Sequence, residues 1–186
     1  VDRIYVTGYN SAQSITQVGA DVVVVFAAGD QITFRGTSLE TVNSALVFGT
    51  SPPIVGTPGD DTLVGSELRD IIDGQGGNDT LVGNGGDDQL CGGAGKDVFS
   101  DGMGNDIIDG GAGIDTISYA EATRGAVVSL NNTGGQNSGS GFDIIRNVEN
   151  IEGSIHQDLL RGNDLANVIS GGAGHDMLSG GHGNDT

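Results

Sequence analysis

From Gly56 to Ser118 the chain repeats itself every nine residues, and the sixth residue of seven successive repeats is aspartate: Asp61, Asp70, Asp79, Asp88, Asp97, Asp106 and Asp115. The eighth position is as regular, holding Leu63, Ile72, Leu81, Leu90, Phe99, Ile108 and Ile117. The same register returns at Gly153, with Asp158, Asn167, Asp176 and Asp185 in sixth place and Leu160, Ile169 and Leu178 in eighth. A fixed short period of this kind marks a solenoid, in which each unit must stack on its neighbours because none buries a face alone.

The unit divides by chemistry. Its first six residues are rich in glycine, so they can turn through backbone conformations closed to residues with a Cβ and leave carbonyls free to face an ion. The last three form a short strand in which alternation sends the eighth side chain inward and the seventh and ninth outward. Two units make one flattened coil, which puts every second repeat on the same edge. The aspartates therefore split into a column of Asp61, Asp79, Asp97 and Asp115 and a column of Asp70, Asp88 and Asp106. Column neighbours stand about 4.8 Å apart, where two bare carboxylates repel by about 1 kcal/mol even in water. Stacked in this way they need a cation between them. The repeating donors are carboxylate and carbonyl oxygens, with no repeating His or Cys, which selects calcium over zinc or copper; magnesium, with its tight octahedron, fits less well.

The units, such as GQGGNDTLV from Gly74 and GGAGIDTIS from Gly110, resemble the GGxGxDxUx consensus (U a large aliphatic residue) of the RTX, or hemolysin-type calcium-binding, family. The resemblance implies an all-β fold, a right-handed parallel β-roll (a β-helix or solenoid) with an N-terminal β cap, and several bound Ca2+ ions. In that family each ion lies between turns n and n+2, held by both Asp carboxylates and by carbonyls of the glycine turns. Carried over, the pairs are Asp61 with Asp79, Asp79 with Asp97, Asp97 with Asp115, Asp70 with Asp88, and Asp88 with Asp106, with Gly77, Gly86, Gly95, Gly104 and Gly113 at the fourth, glycine position of their turns. In the second block the expected ligands are Asp158 with Asp176, and Asp185. Departures from the consensus mark weaker turns: Leu68, His156 and Leu165 replace the fourth-position glycine, Asp101 replaces a first-position glycine, and Asn167 replaces an aspartate.

Composition agrees. A net charge of -18 with 35 glycines and no Trp leaves little for a conventional core, points to cations as partners, and argues against nucleic acid or an anionic membrane surface. Such a chain is expected to be expanded without metal. The lone cysteine, Cys91, sits at an outward ninth position and reads as a surface residue. No apolar run is long enough to span a bilayer, so stable membrane insertion is not expected. No signal peptide is visible. The family resemblance implies export by type I secretion machinery and an extracellular location, and the ending in mid-repeat suggests a fragment of a longer protein.

Four regions follow: a β-rich N-terminal cap over 1–55, a first repeat block over 56–118, a β-rich insert continuing the roll over 119–152, and a truncated second block over 153–186. Strands are expected at Val22 to Phe26, Gln31 to Phe34 and Ala45 to Phe48, with a turn at Ala27 to Asp30 and a linker at Thr50 to Pro53. In the insert they are expected at Ala126 to Leu130 and Phe142 to Ile145. Asp143, Glu149 and Glu152 are read as surface charges that could add ligands, and His156, His175 and His182 as turn-surface residues. No HExxH, GxSxG or CxxC motif is present, and the phosphate-loop look of Gly93 to Asp97 is explained by the nonapeptide register. The expected role is thus not catalytic: a calcium-binding module that folds where calcium is abundant and supports secretion and stability of a larger protein. Alternatively it is the C-terminal module of a secreted protease, lipase or alginate epimerase, or a segment of an adhesin or surface-layer protein that engages a polysaccharide or cell surface through its parent.

Overall fold

The computed structural model describes residues 53–186 throughout and, before them, five strands. The chain divides into two compact units, Val1–Ser51 and Pro52–Thr186. In the first, β1 (Ile4–Val6) pairs in parallel with β5 (Leu46–Phe48), while β2 (Ser14–Val18), β3 (Asp21–Val25) and β4 (Gln31–Phe34) form an antiparallel meander. The strands expected in this region correspond to β3, β4 and β5. Phe26, the turn Ala27 to Asp30, Ala45 and most of the linker lie outside the described residues.

The second unit is a parallel β-roll. One sheet stacks β6 (Ile54–Val55), β8 (Ile71–Asp73), β10 (Gln89–Gly95), β12 (Ile107–Gly113) and β16 (Phe142–Arg146); the other stacks β7 (Thr62–Val64), β9 (Thr80–Val82), β11 (Val98–Ser100), β13 (Thr116–Ser118), β17 (Asn150–Glu152) and β19 (Ile169–Ser170). Through the first block the register is eighteen residues, two repeats: Ile72 lies opposite Ile54 and Leu90, and Leu81 opposite Leu63 and Phe99. Among the described residues no element is helical.

The eighth-position side chains form the core that the alternation predicts. Ile72, Leu81, Phe99, Ile108, Ile117 and Leu160 are fully buried, with Leu90 beside them. Seventh-position neighbours such as Ile71, Val98 and Ile107 face outward. The rule weakens only at the ends, where Leu63 and Ile169 are half-buried and Leu178 is 50% exposed.

The stretch 119–152 enters the same stack. It carries β14 (Val127–Ser129) and β15 (Gln136–Asn137) as well as β16 and β17, and it buries Tyr119, Ala126, Val128, Leu130, Ile145, Val148 and Ile151 in the common core. β16 and β17 pair in parallel with β12 and β13, while β15 folds back antiparallel on β16. The third sheet, β14 with β18 (Leu159–Arg161) and β20 (Met177–Ser179), is stitched to this region by the Val127 N–H to the Ser138 carbonyl at 3.0 Å and by the Ser129 N–H to the Gln136 side-chain oxygen at 2.8 Å.

Close stacking makes particular glycines obligatory. Gly95 has φ +144°, and a Cβ there would stand 1.7 Å from the Gly77 carbonyl oxygen. Gly76, in the turn below, has nothing nearer than 3.6 Å to such an atom. Gly95→Ala is therefore expected to destabilise the folded roll by more than about 2 kcal/mol, through strain and displaced backbone. Gly76→Ala should change stability by less than about 1 kcal/mol in either direction. Thermal unfolding of the two variants in calcium checks the contrast; equal midpoints would mean that the close stacking of Gly95 on Gly77 is wrong.

Candidate metal centre

From Asp61 to Asp97, each sixth-position aspartate uses its backbone twice. Its carbonyl accepts from the residue nineteen positions on, as in Thr80 N–H to Asp61, Gln89 to Asp70, Val98 to Asp79, Ile107 to Asp88 and Thr116 to Asp97, all at 2.8 to 3.0 Å. Its own N–H, which has no strand partner, donates instead to Oδ1 of the aspartate one coil further along. The steps are Asp61 to Asp79, Asp70 to Asp88, Asp79 to Asp97 and Asp88 to Asp106 at 2.8 Å, and Asp97 to Asp115 at 2.9 Å. The two expected columns are thus physical ladders of carboxylates capping backbone donors.

The ladders run on past the first block on residues outside the nine-residue beat. Asp106 donates to Asp143 Oδ1 and Asp115 to Glu149 Oε2, both at 2.9 Å. Asp143 is fully buried and Glu149 half-buried, so reading them as surface charges is corrected: the insert returns one carboxylate to each column. Glu152 is exposed and accepts from the Ser118 hydroxyl at 2.7 Å. In the second block the Asp158 N–H donates to Asp176 Oδ1 and the Asn167 N–H to Asp185 Oδ1, both at 3.0 Å. Asp176 is half-buried and Asp185 exposed. The three histidines are exposed.

The second carboxylate oxygen divides the turns into two kinds. In the closed kind it is held by the second residue of its own repeat. Thr57 N–H and hydroxyl bond Asp61 Oδ2 at 2.5 and 2.8 Å, Ser66 does the same to Asp70 Oδ2 at 2.6 and 2.9 Å, and the Ser154 N–H bonds Asp158 Oδ2 at 2.7 Å. Asn163 N–H likewise meets Asn167 Oδ1 at 2.9 Å. In the open kind the second and fourth residues both take left-handed backbone angles, as at Gln75 with Gly77, Asn84 with Gly86, Gly93 with Gly95, Gly102 with Gly104 and Gly111 with Gly113. The pairs Gly172 with Gly174 and Gly181 with Gly183 share this form.

In the five open turns of the first block the second oxygen is buried without a hydrogen-bond partner: Oδ2 of Asp79, Asp88, Asp97, Asp106 and Asp115. Asp70 leaves its Oδ1 unpartnered instead. A buried charged oxygen with no donor is costly. Burial first, and then the neighbouring aspartates, push Asp88 and Asp115 up to about 6 and Asp106 up to about 7, and burial raises Asp97 as well. A set of buried, unpartnered carboxylate oxygens beside glycine turns is the donor set of a hard divalent cation, so these residues fit calcium.

A family model for the RTX calcium-binding nonapeptide repeat (4 copies) matches residues 55–90, 83–117 and 152–186, more than half of the chain. No curated protein matches it.

The raised carboxyl groups give a signed pH dependence. A carboxyl whose folded pKa lies above its unfolded value stabilises the metal-free fold below the unfolded pKa, near 4, and loses that contribution as pH rises through about 6 to 7. Calcium must displace those protons, so its affinity should run the other way, weakening by up to about tenfold per pH unit for each proton displaced on acidification below about pH 6. Calorimetric calcium titrations at about pH 7.5 and about pH 5.5 measure this; equal affinities at both would show that these carboxyls do not hold the ion.

Proposed function

The chain belongs to the RTX calcium-binding nonapeptide repeat family, and on that premise we propose that its β-roll is a calcium-triggered folding module of a secreted protein. The roll is a calcium-binding structural module; the trigger, the export route and the service to a larger parent are what we add. The observation that carries the reading is the row of buried carboxylate oxygens left without donors. Without cations the roll places like charges in dry positions, which favours the expanded chain. With cations those oxygens become ligands, and binding free energy becomes folding free energy.

Such a chain stays unfolded where calcium is scarce and folds outside the cell, where dissociation constants of about 0.1 to 1 mM suffice. An unfolded chain is also what a type I secretion channel would carry. Among the expected ligands, we assign the ions first to the open turns of Asp79, Asp88, Asp97, Asp106 and Asp115. Gly77, Gly86, Gly95, Gly104 and Gly113 shape these turns. At Asp61, Asp70 and Asp158 the Oδ2 atom, which the open turns leave free, is already held by Thr57, Ser66 and Ser154. Asp176 and Asp185 lie in open but solvent-exposed turns, where an ion is held more weakly.

Circular dichroism during a calcium titration tests the trigger, with β signal expected to rise cooperatively between excess chelator and a few times the dissociation constants above. A signal indifferent to calcium would end the proposal. Asp97→Asn separates charge from capping, since the amide keeps an oxygen for the Asp79 N–H. It is expected to raise the calcium midpoint by about 10- to 100-fold while still reaching the folded signal. Asp97→Ala, which removes the acceptor too, should also lower stability at saturating calcium by about 1 to 3 kcal/mol.

A further inference from the structure

Asp101 stands at a first repeat position, where every other repeat of the first block has glycine. It is 2% exposed, and one of its carboxylate oxygens lies within 4.8 Å of oxygens from Asp106 and Asp143, which are as deeply buried. The charges acting on it are those of Asp143 and Asp106, both negative. The donors in reach of Asp101 and Asp143 are neutral: the Gly102 N–H to Asp101 Oδ1 at 2.9 Å, the Tyr119 hydroxyl to Asp101 Oδ2 at 3.4 Å, the Asp106 N–H to Asp143 Oδ1 at 2.9 Å, and the Ser138 hydroxyl to Asp143 Oδ2.

A second observation points the cluster at a ligand. Asp106 Oδ1 caps the Asp88 N–H, and its Oδ2 is buried with no partner. In the neighbouring repeats Oδ2 packs against the first residue of its own turn, 2.6 Å from where a Cβ would sit on Gly83 and 2.3 Å on Gly92. In the Asp106 turn that first residue is Asp101, which puts a Cβ and a carboxylate on the side those glycines leave empty, with one of its oxygens within 4.8 Å of an oxygen of Asp106. Oxygens that share an ion bound at about 2.4 Å stand no more than about 4.8 Å apart, and the three residues meet that spacing. A cavity of about 360 Å³, lined in part by Asp101, Tyr119, Ser138 and Ser140, leads to the cluster.

We propose that Asp101, Asp106 and Asp143 form a three-carboxylate site for a hard, oxygen-seeking cation, with Asp101 supplying a ligand that the glycine of an ordinary repeat cannot. Three buried carboxylates within one ion's reach repel one another unless a cation joins them. The all-oxygen donor set excludes a preference for zinc or copper, and the added charge favours calcium and, still more, a trivalent lanthanide. The identity of the natural cation rests on the calcium reading above; the three-residue site does not.

Terbium tests it directly, because tyrosine excitation sensitises bound Tb3+ at short range and Tyr119 touches Asp101. The full chain is expected to give tyrosine-sensitised Tb3+ emission that calcium displaces. Tyr119→Phe should remove that emission while directly excited terbium still binds. Asp101→Asn, and Asp101→Gly which restores the glycine of an ordinary repeat, should weaken the sensitised titration by about tenfold or more, with the calcium-dependent β signal retained as the check on folding. Sensitised titrations in both Asp101 variants that coincide with the unsubstituted chain would overturn the site. Failure of the calcium reading itself would look different: a β signal in the unsubstituted chain that ignores calcium.

Discussion

The roll depends on a single repeated hydrogen bond, from the backbone N–H of one sixth-position aspartate to the side chain of the next in its column. At the joint between turn and strand the N–H has no backbone acceptor, and an unpaired buried N–H is among the costlier defects a fold can carry. A carboxylate from the neighbouring coil fills the gap, as Asp97 Oδ1 does for Asp79. The solution has a built-in consequence. A carboxylate has two oxygens, the ladder uses one, and the other is buried without a donor along the middle of the roll. Each coil that extends the ladder thus adds negative charge in a dry place, and need for a cation grows in step with the structure itself.

Register was legible before any coordinates because it follows from counting. The eighth-position column became the core and the sixth-position column became the ladders. The division of turns was only half legible. Leu68, His156 and Leu165 flagged three closed turns, since a side chain at the fourth position resists the left-handed angle that open turns require. The Asp61 turn has its fourth-position glycine and is closed nonetheless. There the second residue is Thr57, whose branched side chain disfavours a left-handed backbone and whose hydroxyl seizes the carboxylate instead. Asn84 and Asn163 make the same point from the other side. Asparagine tolerates either form, and its turn is open before Gly86 and closed before Leu165. Both positions must permit the left-handed angle at once, a conjunction that a single-column reading misses.

Asp143 and Glu149 were hidden for a different reason. They stand 37 and 34 residues beyond the column members they serve, Asp106 and Asp115, so no nine-residue count reaches them. What places them is strand pairing: β16 lies on β12 and β17 on β13, and the residues that precede Ile144 and Asn150 fall where a repeat would have put its aspartate. Asp101 was visible only as a departure from glycine. That it replaces an absent side chain with a buried carboxylate, beside Asp106 and Asp143, is a fact of stacking between coils that lie far apart in the chain.

The closed turns are not scattered. Asp61 and Asp70 belong to the first two repeats of one block, and Asp158 and Asn167 to the first two of the other, and two repeats make one coil. Each block therefore begins with a coil whose turns are completed by the chain's own N–H groups and, at Thr57 and Ser66, hydroxyls. That coil is not independent of the open turns above it, because its own aspartate N–H groups donate forward, Asp61 to Asp79 and Asp70 to Asp88. A cation that neutralises Asp79 or Asp88 thereby fixes the acceptor of the closed coil beneath. Dependence on the ion runs toward the start of the block through the ladder, and a coil whose own turns are closed still gains from a cation bound to the next.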